Sequence, residues 1–212
     1  MKKYIAELVG TYALVFCGTG AIMINEISGG TVGHLGIAMT FGFIVTAMIY
    51  AIGDISGAHI NPAVTIAFWI AGVFPEKEVV PYIIAQVIGA LFASATLYFL
   101  FPEANTMGET LPSGTTIQSF ILEIILTFFL MFVIINVATG SKETGIMAGV
   151  AIGLVVLLEA LFAGPICGAS MNPARSIAPA IFAGNFTHLW LYITGPVIGA
   201  LLSIGVWKMI KD

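Results

Sequence analysis

The chain has 212 residues, 59% of them hydrophobic and 8% charged, with a mean hydropathy of +1.06. Soluble globular chains carry about 25% charged residues, so a water-covered globule is excluded and the solvent must be mostly lipid. A net charge of −4 with only seven basic residues offers no electrostatic footprint for DNA or RNA, which excludes nucleic acid as a partner.

Met1-Lys2-Lys3 opens like a signal peptide, but the apolar run behind it, Ile5 to Ile24, is long enough to span and ends in no clear small-residue cleavage site. It is taken as the first span. Leu35 to Ile52 is the second. Pro62 to Gly72 is too short, reaching about 16 Å as a helix against a hydrocarbon core of about 30 Å. Val79 to Leu100, Ile117 to Ala138 and Gly145 to Ala163 are the third to fifth spans, Pro173 to Ala183 is a second short segment, and Leu189 to Ile210 is the sixth span. The flanks of the short segments are apolar and glycine-rich rather than basic and amphipathic, which favours re-entrant half-helices over interfacial helices. The expected fold is an all-α membrane protein of six transmembrane helices and two half-helices, forming one domain over 1–212.

If the spans alternate, Lys2, Lys3, Lys77, Lys142, Lys208 and Lys211 fall on one side, and the loops around Glu26, Glu103 and Glu109 hold no Lys or Arg. By the positive-inside rule both termini are cytoplasmic. The remaining basic residue is Arg175, the one arginine, in the second short segment on the opposite side; an intramembrane arginine is functional by default. Trp190 and Tyr192 at one end of the last span and Trp207 at the other fit an aromatic belt. Cys17 and Cys167 form neither a metal-ligand spacing nor a disulfide framework and are expected to pack as small apolar residues.

The chain repeats itself. Gly57-Ala58-His59-Ile60-Asn61-Pro62-Ala63-Val64-Thr65-Ile66-Ala67 matches Gly168-Ala169-Ser170-Met171-Asn172-Pro173-Ala174-Arg175-Ser176-Ile177-Ala178 at seven of eleven positions, 111 residues on. Val87 to Leu91 recurs as Val197 to Leu201, and Glu7 with Thr11 is echoed by Glu123 with Thr127. Each half, approximately 1–102 and 113–212, holds three spans and one half-span. Three is odd, so the second half enters the membrane upside down, as an inverted repeat. The half-helices then dip in from opposite faces, and their starts at Asn61 and Asn172 can meet near the midplane. Proline is tolerated at the first helical position and Asn is a favoured N-cap. Irregular backbone at that depth must be buried in protein or line a water-filled cavity, which implies a pore or a binding site.

These two Asn-Pro-Ala boxes, Asn61-Pro62-Ala63 and Asn172-Pro173-Ala174, resemble the signature of the aquaporin or major intrinsic protein family, and the resemblance covers nearly the whole chain. It implies a homotetramer in which each subunit has its own pore, passively conducting water or small uncharged solutes. The residue chemistry supports that role. Each half-helix start carries about +0.5 charge, so a cation ~5 Å from both meets about 3 kcal/mol of repulsion at an effective dielectric of ~20. Arg175 at a similar distance adds about 3 kcal/mol. Neutral molecules escape these terms, and the amides of Asn61 and Asn172 can donate to a passing oxygen, orienting water so that proton hopping is interrupted. The matched positions of Glu7 and Glu123 argue against a proton relay and for a shared scaffold role, accepting hydrogen bonds from the half-helix loops as the family's glutamates do. The resemblance makes His59 a lining residue of the cytoplasmic approach; His34 and His188 are expected to be ordinary loop residues.

Family selectivity rests on four positions counted from the boxes: Phe41, Ala160, Ala169 and Arg175. Strict water channels usually have histidine in place of Ala160, and aquaglyceroporins usually have Trp in place of Phe41 and Asp in place of Ser176. Gly164 to Ser176 and Asn61 to Phe68 resemble the boxes of the nodulin-26-like branch, which implies passage of water, glycerol and neutral metalloid hydroxides such as arsenious, boric or silicic acid. Phe41 supplies an apolar wall, Arg175 a fixed donor fork, and the two alanines an opening wider than one water. Glu159 points about 100° from Ala160 on a helix and is expected between helices as a hydrogen-bonded carboxylate, with a pore-mouth role as the alternative. A strict water channel and a coupled secondary transporter of a small neutral solute, which shares inverted repeats, remain as alternative functions. No carboxylate ring or carbonyl filter of an ion channel stands in the chain. Ser170 lies inside the second box and no phosphate loop is present, so neither enzyme activity nor a cofactor or metal is expected.

Overall fold

The computed structural model describes residues 1–141 and 145–211. Every regular element among them is helical. Six helices are long and apolar enough to cross a membrane: α1 Lys2–Ile27, α2 Gly33–Ser56, α4 Val79–Leu100, α5 Thr116–Ala138, α6 Ala148–Cys167 and α8 Leu189–Ile210. Two short helices, α3 Pro62–Ala71 and α7 Pro173–Ala183, lie between them, and a 3-10 turn, Glu76–Glu78, precedes α4. Large side chains such as Phe43, Phe92, Phe129 and Phe162 are exposed on the outside of the bundle, as expected where the solvent is lipid.

The packing is paired. α1 packs on α2 and α4 as α5 packs on α6 and α8; α4 touches α7 as α8 touches α3; α2 meets α6 and α3 meets α7. Close crossings explain part of the glycine content. A Cβ on Gly89 of α4 would overlap the Leu8 carbonyl of α1, and one on Gly199 of α8 the Ile124 carbonyl of α5. At the α2–α6 crossing the relation is reciprocal: a Cβ on Gly42 would lie 2.6 Å from the Gly153 carbonyl, and one on Gly153 the same distance from that of Gly42. Backbones approach this closely where a small residue stands at the crossing.

Several expectations are corrected. The fifth span, expected over Gly145 to Ala163, forms α6 from Ala148 and continues through Pro165 to Cys167. Proline cannot donate to the carbonyl four residues back, here that of Leu161. His34 Nε2 donates to that carbonyl at 2.7 Å and satisfies it from outside the helix. His34 is therefore no loop residue but sits in the first turn of α2. Tyr192 and Trp207 are buried; only Trp190, half exposed, keeps the belt position. Tyr192 is drawn inward because its hydroxyl donates to the Cys167 carbonyl at 2.8 Å. Lys142 lies outside the described residues. At the end carrying the other lysines, Lys3 pairs with Glu78 at 2.9 Å and Lys208 Nζ donates to the Ile70 carbonyl at 3.0 Å, capping α3.

Candidate functional site

The half-helices start as their sequences require. The Asn61 side chain accepts from Ala63 N at 2.9 Å, and that of Asn172 from Ala174 N at 3.0 Å and Arg175 N at 3.4 Å. Pro62 and Pro173 stand where no backbone donor is needed. The two starts clasp each other: Asn61 Nδ2 donates to the Met171 carbonyl at 2.8 Å and Asn172 Nδ2 to the Ile60 carbonyl at 2.9 Å. Each amide keeps one further N–H, and both asparagines line the same internal cavity.

The loops leading into the half-helices are strained. Ala58, Ile60, Ala169 and Met171 have φ of 48°, 41°, 41° and 53°, a region that costs an L-residue about 1–2 kcal/mol each. Buried glutamates hold them there. Glu7 accepts four hydrogen bonds: Ser56 Oγ at 2.7 Å and His59 N at 2.9 Å on Oε1, Ile60 N at 2.7 Å and Gln86 Nε2 at 2.8 Å on Oε2. Glu123 accepts Ser170 N and Met171 N, each at 2.8 Å, one on each oxygen. Tyr82 donates to the Ser56 carbonyl at 2.9 Å as Tyr192 does to that of Cys167. In the first half His59 Nδ1 meets Thr65 Oγ1 at 3.1 Å; in the second the matching Ser170 Oγ meets Ser176 Oγ at 2.6 Å, and Ser176 also contacts Thr110 Oγ1 at 2.7 Å.

Arg175 is buried at the start of α7. Its Nη1 donates to the Gly108 carbonyl at 2.7 Å and its guanidinium lies 5.2 Å from the Phe41 ring centroid. Nη2 has no acceptor among the described residues. The internal cavity encloses about 130 Å³ and extends past Asn61 and Asn172 to His59, Ile49 and Ala148. Above it opens a vestibule of about 440 Å³ bordered by His34, Asn25 and Glu109. Four residues border both spaces: Phe41, Ala160, Ala169 and Arg175. Glu109, in the segment between α4 and α5, has its carboxyl pushed above the ordinary range by burial, against a hydrogen bond from Asn185 that pulls it down. Glu159 is buried beside Ala160 and lines neither space. Its Oε2 has no partner among the described residues, so the expected hydrogen-bonded carboxylate is not what the fold makes of it.

The site holds partners that the sequence reading did not assign. Tyr82 and Tyr192 stand 110 residues apart, at the offset of the Val-Ile-Gly-Ala-Leu repeat, so the repeat could have flagged them. Gln86 aligns with Pro196 and the Gly108 carbonyl with nothing; no repeat signal points to either.

Six lipid-facing helices around two half-helices that start at one buried point, with a polar stripe along a continuous cavity, define a multi-pass membrane protein of the channel type. The sequence model of the family described as "Major intrinsic protein" matches residues 1–207. "Aquaporin NIP1-1" of Zea mays is 47% identical over 212 residues, covering 100% of this chain and 75% of that protein. "Nodulin-26" of Glycine max is 43% identical over 212 residues, covering 100% and 78%. The structure of the aquaglyceroporin from Plasmodium falciparum superposes with a TM-score of 0.91 at 24% identity, covering 99% of this chain and 96% of that one, a likeness of fold. The chain belongs to the major intrinsic protein family.

Proposed function

We propose that the protein is a passive channel for water and small uncharged solutes, among them glycerol and neutral metalloid hydroxides, that excludes ions and protons. The observation that carries this reading is the junction of vestibule and cavity, bordered by Phe41, Ala160, Ala169 and Arg175. One face of it is aromatic, one is a buried cation with a free Nη2, and two are methyl groups. A solute with a carbon edge and hydroxyl oxygens suits such a ring, while a cation meets Arg175 and then two half-helix starts. The small alanines favour this reading over a strict water channel. Asn61 and Asn172 supply donors below the junction, and His59 lines the inner approach. Glu7 and Glu123 act as scaffold, not as relay: their oxygens are occupied by the loops' N–H groups.

The paired contacts support one channel domain of two inverted halves, 1–102 and 113–212. In this reading both termini face the cytoplasm, where Lys3 and Lys208 gather, and the subunit assembles as a homotetramer with a pore in each copy. The test is light scattering of proteoliposomes under water, glycerol and arsenious acid gradients with no ion gradient present. Flux of all three is expected. Ala160→His is expected to suppress glycerol and arsenious acid uptake and keep water flow, and Arg175→Val to admit ions. Dependence of flux on an ion gradient would establish a coupled transporter instead, and unchanged uptake in Ala160→His would refute the assignment of the ring.

A further inference from the structure

The hydroxyl of Thr65 fixes the chemistry of His59. A threonine hydroxyl has one proton to give and two lone pairs to receive with. Thr65 Oγ1 gives its proton to the Asn61 carbonyl at 3.1 Å and receives Gln86 Nε2 at 2.9 Å. Gln86 is not free to turn its oxygen to that position, because its other N–H goes to Glu7 Oε2 at 2.8 Å. One lone pair of Thr65 is left, facing His59 Nδ1 at 3.1 Å. A proton on Nδ1 keeps all three contacts of Thr65 Oγ1 as hydrogen bonds, whereas turning the hydroxyl proton to Nδ1 would forfeit its bond to the Asn61 carbonyl, so the arrangement favours the proton on Nδ1. A neutral imidazole protonated at Nδ1 has an unprotonated, accepting Nε2. That nitrogen has no partner among the described residues, and the ring lines the cavity. The rings of Phe68, Phe74 and Tyr82, with centroids 4.7, 4.6 and 5.1 Å away, hold the imidazole in place.

We infer that His59 is held as the Nδ1–H tautomer with an accepting Nε2 toward the cavity, and that Thr65 and Gln86 are positioning residues that impose this state through Glu7. The cavity is then polarised along its length. Arg175 and the two asparagine amides donate, and His59 accepts. A permeant that offers both an acceptor oxygen and a hydroxyl proton is served at both ends. The specificity consequence, though not the tautomer, rests on the channel reading above.

The chain has three histidines, so in protein carrying His34→Gln and His188→Gln the ring of His59 is the one left to observe. Nitrogen-15 NMR of that protein in lipid at pH 7 is expected to show a protonated Nδ1 and an unprotonated Nε2. Thr65→Val removes the acceptor and is expected to populate the Nε2–H tautomer, while Thr65→Ser restores the native pattern. In proteoliposomes Thr65→Val is expected to lower glycerol uptake relative to water flow about fivefold, the worth of one neutral hydrogen bond. An Nε2–H or doubly protonated His59 in the Thr65-containing protein overturns the inference without any variant at Thr65, and so does a tautomer that Thr65→Val leaves unchanged. Absence of all flux with the expected tautomer present would overturn the channel reading alone.

Discussion

Replacing each buried glutamate by glutamine tests whether these side chains hold the half-helix loops and predicts a comparable cost in the two halves. Glu7 has two donors on each oxygen, whereas Glu123 has one backbone N–H on each. An amide turns one acceptor oxygen into an NH2 group. In Glu7→Gln the NH2 fits the Oε1 side, where the Ser56 hydroxyl can turn to accept it and give its own proton to the Ile52 carbonyl, 3.5 Å away, so the His59 N–H is the donor left unsatisfied; Glu123→Gln likewise leaves one backbone N–H. At about 1–3 kcal/mol per buried group without a partner, each variant costs about 1–3 kcal/mol. The strained residues differ little between the loops, with φ of 48° and 41° in one and 41° and 53° in the other, so strain adds no difference. The assay is denaturant unfolding of each purified variant in the same detergent, with helical circular dichroism as the signal. Unfolding of either variant at the denaturant concentration of the parent protein would refute the reasoning.

Gly18 of α1 is the gap that admits Phe41: a Cβ there would overlap the ring. Gly18→Ala is expected to cost about 1–3 kcal/mol by overpacking and to push the ring toward Arg175, so that glycerol uptake falls more than water flow. Unchanged glycerol uptake would show that Phe41 does not set the opening. Glu109 has a carboxyl raised above its ordinary 4.5 mainly by burial. Its contribution to stability is therefore complete below 4.5 and is lost as pH rises through the raised value of the folded state. Amide exchange over Thr106 to Thr110 is expected to quicken across that rise by more than the intrinsic rate does, and Glu109→Gln to abolish the excess. An excess that persists in Glu109→Gln would assign it to another group.

The spans were legible because lipid leaves a chain few options: backbone must satisfy itself, so the apolar runs must be of crossing length. The half-helix starts were legible because Asn-Pro is at once a cap and a first turn. What resisted reading was fixed by tertiary partners. The fifth span was expected to end at Ala163, yet the helix runs through Pro165 to Cys167, and His34 takes up the Leu161 carbonyl that the proline leaves without its donor. Nothing in the residue types of Ala58, Ile60, Ala169 and Met171 favours a positive φ; they adopt it because their loops' N–H groups are gathered onto Glu7 and Glu123. Phe41, Ala160, Ala169 and Arg175 could be counted from the boxes by resemblance, but that these four border both spaces is a fact of packing.

The two halves share a plan and differ in what closes it. In the first half Gln86, on a spanning helix, bonds both Glu7 and Thr65, so the loop before α3 is tied entirely to membrane-embedded groups. Its counterpart in the second half is Pro196, whose side chain has no hydrogen-bonding group. There Ser176 turns instead to Thr110, and Arg175 to the Gly108 carbonyl, both in the segment joining α4 to α5. The anchoring that the first half draws from its own helices, the second draws from a connection lying at the vestibule, beside the raised carboxyl of Glu109. Arg175 is thus the polar group of the junction whose position depends on a segment outside the spanning helices. Changes confined to residues 106–110 should therefore alter solute discrimination without touching any residue of the ring.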